Sequence, residues 1–329
     1  MRKLISIVTP CYNEQDNVEE LCERIASVMA TLPYDYEHIC IDNHSTDSTV
    51  SKIRVIAARN KRVKLIVNAR NFGHIRSPFY GILQSSGDAC VLIASDLQDP
   101  PELIVDFIKR WEEGYKTVLA VKPESEESRL VFFARNAYYR LLSRISEVPL
   151  VRNATGAGLF DREVVEILRK VHDPYPYFRG LVCEIGFPIG TVPFKQPKRR
   201  RGITKNNFYS LYDMAMLGIT NHSKVPLRLM TVAGFLISIL SLLVAFAFLL
   251  AKLIFWDFFQ LGIAPILIGI FFFGSIQMFF IGLLGEYIGA IHTQVRKVPL
   301  VVELERVNFD DPVPALPAGG DSSKNSVQI

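Results

Sequence analysis

The chain has 329 residues, 49% hydrophobic and 21% charged, with a net charge of +4. These averages conceal a division, because residues 229–285 carry only Lys252 and Asp257 while every other charge lies outside them. A simple cytosolic enzyme, a disordered chain and a collagen-like repeat are excluded.

At the N-terminus Met1-Arg2-Lys3 is basic, but Pro10 interrupts the apolar run too early for a signal peptide. Leu4–Thr9 reads as a buried strand that Pro10 ends. Asn17 caps a helix running to Met29, with Val18, Leu21, Cys22, Ile25 and Val28 at helical spacing. His38–Asp42 predicts a second strand, Ser48–Asn60 a helix, Val63–Asn68 a third strand, Ile75–Ser86 a helix and Ala89–Ala94 a fourth strand. Strands alternating with helices predict an α/β domain with a mostly parallel sheet, here over residues 1–206. Ligands of such sheets bind beyond the carboxyl ends of the strands. The polar clusters Cys11–Glu14, Asp42–Ser45 and Ser95–Asp99 follow predicted strands, so chemistry is sought in them. No G-x-G-x-x-G or Walker A loop is present, which leaves dinucleotide and P-loop sites unsupported. The five cysteines are scattered without a C-x-x-C and read as small, buried, reduced thiols.

Further along, Lys195, Lys198, Arg199, Arg200 and Arg201 place five positive charges in seven residues, ahead of an apolar region. Anionic lipid headgroups and phosphates suit such a patch at about 1 kcal/mol per charge, and nucleic acid is not expected. Phe208, Leu211, Tyr212, Ala215, Met216 and Ile219 recur at helical spacing, so 207–224 predicts an amphipathic helix in the membrane interface, with a core helix of the soluble domain as the alternative. Leu229–Ala251 is uncharged over 23 residues, roughly 34 Å as a helix and enough for a ~30 Å hydrocarbon core. Phe258–Gly285 is uncharged over 28 residues. A two-helix transmembrane hairpin is therefore expected within 225–290, at about 229–251 and 262–285, with Trp256 at an interface. Lys224, Arg228, Arg296 and Lys297 flank its outer ends, so both ends face the cytoplasm by the positive-inside rule. Glycines such as Gly269, Gly274 and Gly282 admit close helix packing, including between protomers of a dimer or tetramer. Residues 291–329 read as a cytoplasmic tail, disordered from Phe309 onward.

Six segments in order resemble family 2 glycosyltransferases of the GT-A fold. Pro10-x-Tyr12-Asn13-Glu14 looks like that family's first nucleotide loop, and Asp42-Asn43-His44-Ser45-Thr46-Asp47 like its D-D-G-S-x-D turn. Asp96-Leu97-Gln98-Asp99-Pro100-Pro101-Glu102 looks like the metal loop of the polyprenyl-phosphate branch, which includes dolichol-phosphate mannose synthases and bactoprenol-phosphate glucosyltransferases. Arg70-Asn71-Phe72-Gly73, the two hydrophobic helices and Gly285-Glu286-Tyr287-Ile288-Gly289 match the same branch. The resemblance spans residues 4 to about 300. It implies nucleotide-sugar contacts from Pro10, Tyr12, Asn13, Glu14, Asp42, Ser95, Asp96 and Gln98, with Asp42 accepting from base or ribose. It implies phosphate contacts from Arg201 and Lys205, with Arg135, Arg179 and Lys122 as further candidates. It also implies Mg²⁺ or Mn²⁺ held by Asp96, aided by Gln98 or Asp99. The plain alternatives are an Asx turn for Asp42 and a helix cap for Asp96.

Three departures stand out. Ala94 takes the place of the first Asp of the D-x-D pair, Asn43 that of the second Asp in the turn, and Gly156 that of an Asp implicated in catalysis. Glu184 is a candidate catalytic replacement beside Asp96, and His74 and Arg76 replace a usual Lys-Glu pair. A lipid phosphate acceptor is already largely ionised near neutral pH, with a second pKa of about 6. A general base, worth about 10²–10⁴-fold for a hydroxyl acceptor, then matters less. The expected reaction moves a sugar from a nucleotide-diphosphate sugar, expected to be a UDP-sugar, to undecaprenyl phosphate on the cytoplasmic face of a bacterial inner membrane, feeding envelope polysaccharide. The alternatives are transfer to a lipid-linked saccharide or glycerolipid hydroxyl, and a degenerate sugar-nucleotide-binding membrane protein without turnover.

Overall fold

A strand covered on both faces needs a near-continuous apolar run, and Leu4–Cys11 forms such a strand, β1, inside an eight-stranded sheet. The computed structural model describes residues 2–122, 151, 153–195, 225–254, 263–296 and 298–310. They fall into two units: Met1–Ala137 with Val148–Asn206 and Arg296–Ile329, and Tyr138–Glu147 with Asn207–Val295.

In the first unit β1 leads to α1 (Val18–Ala30), β2 (Asp35–Asp42), α2 (Thr49–Arg59), β3 (Val63–Asn68), α3 (Gly73–Leu83) and β4 (Ala89–Leu92). Then come α4 (Leu103–Glu112), β5 (Thr117–Val121), β6 (Ala154–Asp161), α5 (Arg162–Arg169), α6 (Phe178–Glu184), β7 (Ile189–Pro193) and, after the second unit, β8 (Glu303–Val307). The sheet order is β7-β5-β6-β4-β1-β2-β3-β8. Strands β4, β1, β2 and β3 are parallel, as are β5 and β7, while β6 runs antiparallel to both its neighbours and β8 antiparallel to β3. The α/β domain with a mostly parallel sheet is therefore observed.

Side chains alternate across the sheet. Ile5 and Ile7 join Leu21, Ile25 and Phe107 on one face, while Val8 joins Ile39, Phe79 and Phe160 on the other. Burying each large side chain contributes about 1.5–3 kcal/mol. On the second face α3 lies close to the sheet at Gly81, where a Cβ would come 2.7 Å from Val8 Cγ1.

Several boundaries differ from the expectation, for physical reasons. Pro10 does not end β1: it pairs in register with Ile41, beyond the last β1–β4 pair (Val8 and Leu92), so its missing N–H costs no ladder bond. Asn17 makes no side-chain cap on α1; its amide donates to Glu14 Oε2 instead, at 2.6 Å. Helix α3 begins at Gly73, whose φ of +88° suits a residue without a Cβ, and it tolerates Pro78 within it.

The largest difference is at the C-terminus. Within the stretch read as a tail, Glu303–Val307 forms β8 on the edge of β3, and Ala69 N–H donates to Val302 O at 2.8 Å. Leu300 and Phe309 pack against the core, and Lys64 and Arg306 lie over the Phe309 ring. Disorder thus does not begin at Phe309, and residues 311–329 lie outside the described part.

The second unit contains α7 (Val225–Ile254) and α8 (Ile263–Val295). Among the described residues one stretch, Phe272–Val295, is long and apolar enough to cross a membrane, and Val225–Ser241 is apolar but shorter. Helix α7 runs three residues past the expected end of the first span, and α8 continues through Glu286 and Tyr287 to Val295, since no proline interrupts it before Pro299. The two helices line a cavity of about 360 Å³ whose walls include Met230, Gly234, Phe273, Gln277 and Phe280. The amphipathic stretch 207–224 and Trp256 lie outside the described residues.

Candidate functional site

Strands β1, β2 and β4 end side by side, because Cys11 lies opposite Asp42 and Val8 opposite Leu92. The chain leaving each strand therefore enters one cluster at the carboxyl edge, as expected for this sheet type. Each of the three loops carries a left-handed residue: Asn13 (φ 56°), His44 (φ 68°) and Leu97 (φ 58°). Asn tolerates this region, whereas Leu there costs on the order of 1 kcal/mol, and strain of this kind concentrates at ligand sites.

Asp42 is fully buried, and both its carboxylate oxygens accept from Ser45, one from the backbone N–H at 2.9 Å and one from the hydroxyl. Burial raises the Asp42 carboxyl above its ordinary range, opposed by the hydrogen bonds from Ser45 and His44. Ser45 Oγ accepts the Asn13 N–H at 2.9 Å, and Asn13 Oδ1 accepts the Thr46 N–H at 2.8 Å. The first two loops are thereby stitched together. The local turn foreseen for Asp42 is present. Glu14 is held from both sides, its N–H donating to Thr49 Oγ1 at 2.8 Å and its carboxylate accepting from Asn17. Burial would raise the Asp47 carboxyl, but hydrogen bonds from Thr49 and from the Gln15 N–H outweigh it and hold it below its usual range.

Asn43 explains its own departure from an acid. Its Oδ1 accepts the Phe72 N–H at 2.8 Å and Asn68 Nδ2 at 3.1 Å, which fixes the amide orientation, since a backbone N–H only donates. Its Nδ2 donates to Asn71 Oδ1 at 2.8 Å and to Gly73 O at 3.2 Å. This one amide ties the end of β2 to the Arg70–Gly73 loop, and a carboxylate has no donor with which to do so.

In the third loop Ser95 Oγ donates to Pro10 O at 2.9 Å, and Asp96 Oδ1 accepts the Gln98 N–H at 3.1 Å. Asp99 is 6% exposed, and its Oδ1 has no hydrogen-bond partner among the described residues. Burial, then the neighbouring Asp96 charge, pushes the Asp99 carboxyl up to about 6, against the pull of Arg179 and Lys122. Arg179 also acts on His74, an exposed residue whose pKa is held below the ordinary value first by desolvation and second by the guanidinium charge. The fold thus brings together Asp96, Asp99, Lys122, Arg179 and His74 from four separate segments. Sequence reasoning treated Asp99 as an auxiliary. Only the tertiary burial beside Asp96 reveals it as a second carboxylate of this loop.

The remaining candidates are dispersed. Glu184 is the exposed last residue of α6, with no hydrogen bond or ion pair to Asp96 or Asp99 among the described residues. Gly156 is exposed in β6, and a Cβ there would meet nothing within 4 Å. Arg135, Arg201 and Lys205 lie outside the described residues. Oxygen donors such as Asp96 and the unpartnered Asp99 Oδ1 suit a hard divalent cation, so the residues present fit Mg²⁺ or Mn²⁺.

Comparison with known proteins identifies the family of the chain. An uncharacterized glycosyltransferase of Synechocystis sp. is 34% identical over 297 residues, covering 90% of this chain and 93% of its own. The SfII prophage-derived bactoprenol glucosyl transferase of Shigella flexneri is 32% identical over 296 residues, covering 90% of this chain and 96% of its own. Among solved structures, glucosyl-3-phosphoglycerate synthase from Mycobacterium tuberculosis is similar over 66% of this chain and 76% of its own, at 22% identity and a TM-score of 0.46. Residues 6–169, which carry all three loops, match the family described as "Glycosyl transferase family 2". The chain is a glycosyltransferase and belongs to that family.

Proposed function

We propose that the protein transfers a sugar from a UDP-sugar to a polyprenyl phosphate, undecaprenyl phosphate in a bacterial inner membrane, at the cytoplasmic face. The observation that carries the acceptor class is the composition of the carboxyl edge. Acids and cations meet there at Asp96, Asp99, Lys122 and Arg179, while Gly156 offers no base. An acceptor that needs no base is one already ionised, and a phosphate monoester meets that requirement. Its oxygen forms the new bond to the anomeric carbon as the bond to the nucleotide's β-phosphate breaks, with inversion and without a proton to remove. Asp42, at the root of the second loop, would accept from the nucleoside once a ligand opens that loop. Asp96 and Asp99 would hold Mg²⁺ or Mn²⁺, which supplies charge stabilisation for the departing diphosphate. Arg179 and Lys122 add fixed positive charge, joined in this reading by Arg201, Lys205 and Arg135. The prophage relative, named as a bactoprenol glucosyl transferase, supports the same acceptor class.

Connectivity supports the two-span hairpin. Strand β8 pairs with β3, so the segment after α8 rejoins the domain that precedes α7. A domain on one side of a membrane can be left and rejoined in this way only by an even number of crossings, and α7 and α8 supply two.

The test is to incubate the detergent-purified protein with radiolabelled nucleotide sugars and undecaprenyl phosphate, with and without EDTA. The expected product is a mild-acid-labile labelled lipid that forms with a UDP-sugar and is lost with EDTA. Absence of labelled lipid with every donor overturns the reading, and label entering only lipid-linked saccharides or glycerolipids transfers it to a hydroxyl acceptor.

A further inference from the structure

We infer that Cys22, His38 and Cys40, with Cys11 beside them, form a binding site for a thiophilic divalent cation of the Zn²⁺ class in the core of the catalytic domain. His38 and Cys40 are two residues apart on β2, so they face the same side of the sheet. Thr9 lies opposite Cys40 on β1, and Cys11 follows it by two, on that same face. Helix α1 covers this face and contributes Cys22 to the cluster that holds Cys11 and Cys40. One ligand atom from each of Cys22, His38 and Cys40 lies within 4.8 Å of the others. Tetrahedral coordination with bonds of about 2.0–2.3 Å needs ligand atoms roughly 3.5–4 Å apart, so side-chain adjustment alone closes the site. His38 Nε2 is 3.6 Å from Cys40 Sγ and 3.0 Å from Thr9 Oγ1, a hydrogen bond that an ion on this nitrogen would displace.

The surroundings exclude water as a ligand, since Cys22, His38, Cys40 and Cys11 are 6%, 1%, 0% and 1% exposed. Cys11, whose Sγ lies 3.6 Å from Thr9 O in the same buried cluster, is the nearest further thiol and would complete the set by turning toward the ion. Three cysteines and one histidine are a structural zinc set. Such sulfur and nitrogen donors select a different metal from the oxygen donors Asp96 and Asp99. Bound there, the ion would tie α1, β1 and β2 together directly before Tyr12, anchoring the first nucleotide loop.

The test uses the full-length protein in detergent, produced in medium carrying added Zn²⁺ or, in a second batch, Co²⁺. The expected result is one tightly held metal per chain by elemental analysis, with thiolate-to-cobalt charge-transfer and tetrahedral d–d absorption in the cobalt batch. An ion on Asp96 and Asp99 gives no thiolate band, so the two sites are distinguished. Cys22→Ser and Cys40→Ser should lose the band, whereas Cys90→Ser and Cys183→Ser, buried in the other face's core, should keep it. Absence of the thiolate band in the wild-type cobalt protein overturns the inference even if the variants fail to fold. So does a Cys22–Cys40 disulfide in protein purified without reductant.

Discussion

A buried carboxylate such as Asp99 opposes folding whenever it is charged. Its folded pKa of about 6 lies above the ordinary 3.8, with burial as the main cause and Asp96 the second. The folded, metal-free protein therefore binds a proton that the unfolded chain has released between those values. Stability falls as pH rises through that window, by up to about 3 kcal/mol for a two-unit shift. Asp99→Asn should remove this slope and make the EDTA-treated protein more stable near neutral pH, as read by urea unfolding at a series of pH values. The same variant should lose transfer activity by about 10²-fold or more, because the diphosphate loses its second carboxylate-held charge partner. Gly156→Asp is the complementary substitution. Its Cβ meets nothing, so stability should stay within about 0.5 kcal/mol, and the rate toward polyprenyl phosphate should change little. A large acceleration would show that proton removal limits the reaction and would count against a phosphate acceptor. Asn43→Asp should cost about 1–3 kcal/mol in thermal or urea melts, since Asn71 Oδ1 and Gly73 O both lose their donor.

Among the elements, those up to β4 were legible because each buries a continuous or periodic apolar set, as in Ile5, Ile7 and Val8 of β1 or Val18, Leu21 and Ile25 of α1. Strand β8 was not, because three of its five residues are charged and nothing local announces a partner more than two hundred residues earlier. Its charges are neutralised only in three dimensions. Glu303 meets Arg306 at 2.6 Å and Tyr80 Oη at 2.8 Å, and Glu305 pairs with Arg54. The site shows the same limit. The three loops were visible as polar clusters after strands, whereas the approach of Arg179 to Asp99 joins segments eighty residues apart and follows from packing alone. The Glu303–Arg306 pair is nearly sequestered, with side chains 1% and 7% exposed. Glu303→Ala should therefore destabilise the protein by about 3 kcal/mol, because Arg306 keeps a buried charge without its carboxylate.

At the scale of the whole molecule, the catalytic domain is discontinuous, and removing the hydrophobic hairpin by truncation also removes part of the sheet. A chain ending at residue 224 lacks β8 and leaves β3 as an open edge, the kind of surface that pairs with other chains. Such a truncation should show a lower melting temperature and a tendency to aggregate. A peptide covering 298–310, added in excess, should raise that melting temperature; failure to do so would mean that β8 contributes little. The pairing of β8 also sets an order of events in time. Arg54 and Glu305 are separated by 251 residues, and synthesis at about 5–20 residues per second places roughly 10–50 s between the emergence of one and of the other. Throughout that interval both hydrophobic helices are being made and β3 has no outer neighbour. The sheet is closed last, by a strand that is synthesised only after both hydrophobic helices.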